Sequence, residues 1–216
     1  MANLGTSRDK VTTSAKGLTL TDNAASFLGS DINGNMSVKN TSKTRAYLTL
    51  DVTATPTQAP ETLSSGFSIR KSLYALSGEE RSADTMKKGE RAIIYVEAKA
   101  KFTASQMVVL ADLLPAGFEI ETVLTRKDST NEGRFSFLPD LSDFDMQEAR
   151  DDRFIASDRR SRWNREKGHF RAAYVVRAVT TGTFTFPGAV IEDMYRPQRV
   201  ATTEHGTLEI TPSGDF

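Results

Sequence analysis

The chain has 216 residues, with 28 Lys and Arg set against 28 Asp and Glu, so its formal net charge is zero. That balance removes any long-range attraction to nucleic acid or to an anionic membrane. It carries no cysteine and only two histidines, His169 and His205, which excludes disulfides, thiolate metal sites and thiol nucleophiles and leaves little material for a zinc site or a His-dependent triad. No apolar run approaches the roughly 18–20 residues that span a bilayer. The N-terminus, Met1-Ala-Asn-Leu-Gly-Thr-Ser-Arg8, lacks the apolar core of a signal peptide, so the sequence reads as either cytoplasmic or an excised piece of something larger.

In chain order, the first strand candidates are Leu18–Thr21 and Asn35–Lys39. A third covers 46–52, where Ala46, Leu48, Leu50 and Val52 alternate with Tyr47, Thr49 and Asp51. Thr53–Ser65 holds Pro56 and Pro60 and few core-forming residues, which predicts an extended connection. The expected organisation is a partial β unit at 1–58, a linker at 59–65 and a larger domain at 66–216. Further strands are predicted at Phe67–Tyr74, Arg91–Phe102, Met107–Asp112 and Phe118–Thr122. Asp140–Glu166 is dense in charge; it reads as an excursion with a short helix around Phe144–Arg150, returning to a strand at Phe154–Ser157. From His169 to Val179 the period is two: Phe170, Ala172, Tyr174, Val176 and Ala178 share one face, while Arg171 and Arg177 fall on the other. Strands at Phe184–Phe186, Ala189–Met194 and around Leu208–Ile210 complete the set. Turn signals such as Asn33-Gly34, Ser77-Gly78, Lys88-Gly89, Thr181-Gly182 and Pro187-Gly188 separate them. Many short strands without a long helical period predict an all-β, antiparallel β-sandwich.

Most chemically suggestive motifs have a simpler reading. Asp31-Ile-Asn33-Gly34-Asn35 copies the start of a calcium loop, but Met36 and Ser42 stand where that loop needs Gly and Glu, so a hairpin turn is expected. Asp140, Asp143 and Asp145 read as a solvated loop rather than a metal site. Ser68-Ile-Arg-Lys71 matches a serine acyl-transferase motif, yet in a strand Ser68 and Lys71 point to opposite faces and the companion motifs are absent. Arg159-Arg160-Ser161-Arg162-Trp163 looks basic and aromatic, but Asp151, Asp152, Asp158 and Glu166 cancel its field, which argues against nucleic acid. Glu148, Arg150, Asp151, Asp152 and Arg153 alternate closely enough for Arg–carboxylate forks, predicting a structural ion-pair network rather than a catalytic dyad. No nucleophile with a base is present, so neither an enzyme nor a cofactor is expected. Ile191-Glu-Asp-Met194-Tyr195-Arg-Pro197 ends a strand in two large amphipathic residues. Period two would set Met194 and Tyr195 on opposite faces. The residues alone leave two readings open, casual exposure of one or a deliberate contact with another surface.

Four ordered segments, Leu113-Leu-Pro-Ala-Gly-Phe-Glu-Ile-Glu121, Glu148-Ala-Arg-Asp-Asp-Arg153, Phe170-Arg-Ala-Ala-Tyr-Val-Val-Arg-Ala-Val179 and Glu192-Asp-Met-Tyr-Arg-Pro197, together resemble the C-terminal macroglobulin-like domain of bacterial α2-macroglobulins over Gly66–Pro212. Leu18–Thr55 is similar to the segment that completes the CUB-like domain of these proteins. The resemblance implies a macroglobulin-like sandwich preceded by strands of a partial CUB-like domain. It further implies a periplasmic trap for target proteases, associated with the inner membrane through a distant lipid anchor absent from this chain. In that family a Cys–Gln thioester is attacked by a protease lysine after bait-region cleavage. With no cysteine here, that centre lies in the thioester domain of the same polypeptide, and Met194, with Tyr195 as second choice, matches the residue that shields it from water. A free-standing adhesion or carbohydrate-binding sandwich, with Trp163 and tyrosines as its platform, is the alternative of a different class.

Overall fold

Arg91–Ala100 and His169–Ala178 are rich in β-branched and aromatic residues and contain neither Gly nor Pro, and both form ten-residue strands in the computed structural model. The structure describes residues 13–15, 38–40, 43, 45, 47–49, 51, 53, 61–101, 106–160 and 168–213. The chain divides into two units, Met1–Gln58 and Ala59–Phe216.

In the first unit, β1 (Thr13–Ala15) pairs antiparallel with β2 (Val38–Asn40), with Ser14 opposite Lys39. The strand expected over 46–52 is not formed at the described residues: 47–49 have no regular structure, and Tyr47 and Leu48 are exposed. Alternation becomes a strand only where a ladder takes its backbone and a core takes its apolar face. The candidate at Leu18–Thr21 and the calcium-like Asp31–Asn35 stretch lie outside the described residues.

The second unit opens with β3 (Ser64–Ser65), β4 (Phe67–Tyr74), β5 (Glu80–Arg81), β6 (Thr85–Lys87), β7 (Arg91–Ala100), β8 (Gln106–Leu113) and β9 (Phe118–Val123). After a short helix α1 (Arg126–Ser129) come β10 (Met146–Ala149), β11 (Arg153–Arg160), β12 (His169–Ala178), β13 (Gly182–Phe186), β14 (Ala189–Asp193), β15 (Arg196–Thr202) and β16 (Gly206–Thr211). A six-stranded sheet has the order β10-β11-β8-β14-β15-β3, and a five-stranded sheet the order β5-β4-β7-β12-β9. A small sheet, β13-β16-β6, contains a parallel pair, β16 with β6; the remaining ladders are antiparallel. The fold is therefore the expected antiparallel β-sandwich.

The core lies between the large sheets, built from Val96, Ala172, Tyr174 and Val176 on one side and Leu110, Phe154, Ala156 and Ile191 on the other. Phe154 stacks on Tyr174 with ring centroids 4.8 Å apart, tying the sheets face to face. β12 is also buried on its other face. Ala173 and Val175 join Ile93 and Tyr95 beneath Leu124, Phe135, Leu138 and Leu141, which come from the connection after β9. Thus Arg171 and Arg177 mark only the ends of that face, and its centre is covered. α1 helps to hold the cover: the Asp128 carboxylate accepts the Thr125 N–H at 2.7 Å, and Ser129 Oγ accepts the Leu141 N–H at 2.9 Å. At the Ser77-Gly78 turn the backbone needs φ +98°, and a Cβ there would strike the Phe137 ring of the same cover.

Three local expectations need correction. The stretch around Phe144–Arg150 is not helical; Met146–Ala149 is an edge strand pairing with β11, Met146 opposite Ser157. The charged Arg150–Arg153 segment makes its turn, with the Arg150 N–H bonded to the Arg153 carbonyl at 2.8 Å, so the charges follow a hairpin and not a helix face. β14 ends at Asp193 rather than Met194. β15 was not foreseen because Pro197 argues against a strand interior; it sits in an irregular stretch, since the register jumps from Glu192↔Val200 to Asp193↔Arg196.

Candidate functional site

β14 is a central strand between β8 and β15, and its alternation decides what reaches the tip of the sandwich. Ile191 points into the core, Glu192 is exposed and Asp193 is fully buried. The next two residues form the turn into β15. The Met194 N–H donates to the Met107 carbonyl at 2.8 Å, and the Tyr195 N–H donates to Asp193 Oδ1 at 3.0 Å. Arg196 Nη1 stands 3.4 Å from Asp193 Oδ2 and Arg199 Nη1 3.8 Å from it. Because both residues occupy a turn, the expected opposition of faces does not apply: Met194 is 53% exposed and Tyr195 78% exposed, side by side. Two adjacent large apolar side chains in solvent have no packing role of their own at this position.

The charged hairpin behaves differently. Arg150 forks onto Glu148 at 3.0 and 3.1 Å, and Arg153 forks onto its neighbour Asp152, Nε donating to Oδ1 at 3.0 Å and Nη2 donating to Oδ2. Asp151 is exposed in the turn between them. Hydrogen bonds from the two guanidiniums come first among the causes that hold Asp152 below, and Arg150 and Arg153 above, their ordinary values. All four side chains reach water, 42–60% exposed.

A second constellation was missed by sequence reasoning. Lys71 Nζ donates to Asp112 Oδ1 at 2.6 Å and to the Pro187 carbonyl at 3.1 Å, and it lies 4.1 Å over the Phe186 ring. The Tyr174 hydroxyl donates to Asp112 Oδ2 at 2.6 Å. Burial pushes the Asp112 carboxyl up and the Lys71 amine down, each opposed by attraction to the other, and burial also raises the Tyr174 phenol. Both carboxylate oxygens are occupied by donors inside the core, so this group joins β4 and β12 of one sheet to β8 of the other. A signal was present: period two sets Asp112 on the face of Val108 and Leu110, and Lys71 on the face of Phe67 and Leu73.

Ser68 is exposed while the Lys71 side chain is buried, so the acyl-transferase motif is not assembled. His169 is half-buried, with Nδ1 3.3 Å from Arg171 Nη2, and His205 is exposed. Trp163 lies outside the described residues. Among the described residues, no three His, Asp or Glu side chains gather to hold a metal ion, and no helix is long and apolar enough to cross a membrane.

Residues 66–198 match the model of the bacterial alpha-2-macroglobulin MG10 domain. The chain belongs to this family. It is 34% identical over 157 residues to an alpha-2-macroglobulin of Xylella fastidiosa, a match covering 70% of this chain and 9% of that protein. It superposes on Salmonella alpha-2-macroglobulin reacted with methylamine with a TM-score of 0.69 at 29% identity, over 82% of this chain and 11% of that one. Trypsin-activated alpha-2-macroglobulin from Escherichia coli gives a TM-score of 0.60 at 26% identity, over 98% of this chain and 14% of that one. The chain thus spans between 9% and 14% of these relatives. Met194 and Tyr195 both fall within the residues matched to the family.

Proposed function

We propose that this chain is a non-catalytic module of a bacterial α2-macroglobulin protease trap, which packs on the thioester domain of the same polypeptide and shields the thioester until a bait region is cut. The observation that carries this reading is the paired exposure of Met194 and Tyr195 on a turn fixed by backbone and carboxylate hydrogen bonds. A thioester is an activated acyl group and survives only where water is excluded. This chain has no cysteine, so it contributes cover and not the acyl group. An unbranched thioether fills an irregular gap without bringing a nucleophile, and a tyrosine ring adds apolar area with a polar edge that tolerates the rim. Aminolysis by methylamine, the reagent named for the Salmonella relative, is the reaction such a cover would slow. In this reading the intact protein meets target proteases in the periplasm, held to the inner membrane by a lipid anchor remote from this chain.

Replacing Met194 by Ala in the intact protein tests it. The expected result is faster loss of methylamine-reactive thioester during storage, with the unfolding midpoint unchanged because the side chain lies outside the core. Wild-type lifetimes in both Met194→Ala and Tyr195→Ala would remove the pair from the mechanism.

A further inference from the structure

The turn that presents Met194 and Tyr195 is unusual for its residues. A two-residue connection between antiparallel strands favours Asn-Gly or a similar pair, because its backbone twist suits short polar residues and glycine. Here Asp193 pairs with Arg196 across the ladder and the two residues between them are Met and Tyr. Nothing in their side chains favours the turn, and both lie in solvent. What holds the turn is beneath it. The Asp193 side chain is wholly buried, yet a buried carboxylate is costly unless hydrogen-bonded and paired. One oxygen, Oδ1, accepts the Tyr195 N–H at 3.0 Å; the other, Oδ2, faces Arg196 Nη1 at 3.4 Å and Arg199 Nη1 at 3.8 Å. The same strand end is fixed from the other side by the Met194 N–H bonded to the Met107 carbonyl of β8 at 2.8 Å.

We infer that Asp193 is the positioning residue of the shield: its buried carboxylate holds the Met194–Tyr195 turn from beneath, so that both side chains are kept exposed on it. This rests on the shielding reading for its purpose, but the positioning itself belongs to this chain alone. Arg196 and Arg199 neutralise the carboxylate and keep its Oδ1 free for the backbone. The acceptor oxygen, rather than the charge, carries the effect on the turn. Asparagine, which keeps an oxygen at the same place, should therefore preserve what alanine destroys.

Two readouts separate the positioning from the shielding. In the 216-residue chain, chymotrypsin cleavage after Tyr195 reports opening of the turn, measured by mass against cleavage elsewhere in the same sample. Asp193→Ala should speed that cut by about tenfold, the upper end of what losing an ordinary hydrogen bond removes, while Asp193→Asn stays within about twofold of the parent. If Asp193→Ala is too unstable to purify, Asp193→Val refills the buried position without an acceptor and serves in its place. An unchanged cut in these variants, or an equal acceleration in Asp193→Asn, overturns the positioning role. In the intact protein, Asp193→Ala should shorten the lifetime of the methylamine-reactive thioester as much as Met194→Ala does. A shortened lifetime in Met194→Ala with none in Asp193→Ala again overturns the positioning role. Normal lifetimes in both the Met194 and Tyr195 variants overturn the shielding while leaving the cleavage result to judge Asp193.

Discussion

The same chemistry, a cation on a carboxylate, carries opposite weight at two places in the large domain. At the β10–β11 hairpin the Arg150 and Glu148 side chains are 57% and 45% exposed, and the pair is two residues apart in sequence. Inside the sandwich the Lys71 and Asp112 side chains are 5% and 0% exposed and 41 residues apart, with Tyr174 joining from 62 residues away. An exposed pair gains little, because water screens it and two long side chains must be held in one geometry; about 0–1 kcal/mol is typical. A buried pair has lost its hydration, so removing one partner leaves an uncompensated charge, at a cost of about 3–5 kcal/mol. Alternating charge along a chain reveals pairs that are close in sequence, and such pairs sit on hairpins in water. The pair that matters to the fold is assembled by sheet register between strands that share no local pattern.

The largest effect is therefore expected at Asp112. Asp112→Ala should lower stability by about 3–5 kcal/mol, because the Lys71 ammonium and the Tyr174 hydroxyl both lose a buried acceptor. Urea unfolding measures it. The triple variant Lys71→Met, Asp112→Leu, Tyr174→Phe removes every member at similar volume and should recover most of the loss. If the triple variant is as unstable as the single one, packing volume and not the unpaired charge dominates, and the contrast between interior and surface pairs breaks.

Tyr174→Phe is the next step down. It keeps the ring stacked on Phe154 and deletes only the donor to Asp112 Oδ2, so about 1–3 kcal/mol should go. Tyr174→Ala also deletes the ring from the centre of the core and should cost about 3–5 kcal/mol. A Phe variant as stable as the parent would show that Lys71 alone satisfies the carboxylate.

These residues also show what could be read from the chain beforehand. The apolar face of β12 was legible because Phe170, Ala172, Tyr174, Val176 and Ala178 repeat every second residue, and β7 was legible for its β-branched Ile93, Ile94 and Val96. Ala173 and Val175 broke the polar half of the pattern, a sign of a second cover that went unread because Leu124–Leu141 has no periodicity of its own. β15 was hidden by Pro197, which the register irregularity tolerates, and the hairpin at Arg150–Arg153 was hidden by charge that suits a helix as well as a turn. At the tip, Met194 and Tyr195 were found by their chemistry and not by their geometry. Period two has no meaning beyond the last ladder residue, and Asp193, which defines that end, is an acidic residue in a place where sequence alone expects exposure.

Between interior and surface lies Glu121 on β9. A hydrogen bond from Arg91 Nε at 2.6 Å comes first, with the charges of Arg91 and Arg177 adding to it, and these hold its carboxyl below the ordinary 4.5. A depressed carboxyl pKa contributes stability above its unfolded value and loses it as the pH falls through the folded one. The contribution is thus whole above pH 4.5 and fades in more acid solution. Arg91 is half exposed, so screening limits the gain to about 0.5 kcal/mol. Glu121→Gln should lower the unfolding midpoint slightly at pH 7 and converge on the parent in strong acid. A gap that stays constant across pH would mean that the side chain acts through packing.

The smallest effect belongs to the forks that sequence singled out first. Arg150→Ala and Arg153→Ala each remove a bidentate contact, Nε and Nη2 onto the two oxygens of one carboxylate, yet each leaves behind a carboxylate that water can solvate without cost to the fold. Each should change stability by less than about 0.5 kcal/mol, and less still in high salt, where exposed pairs are screened within a few ångströms. The backbone bond from Arg150 N–H to the Arg153 carbonyl, which closes the hairpin, survives both substitutions. A double variant separates the terms. If the two losses simply add, the forks are independent surface contacts. If the double variant falls by more than about 1 kcal/mol beyond their sum, the charges form one network around the turn and carry real weight in the domain, which would close most of the gap between this hairpin and the buried Lys71–Asp112 pair.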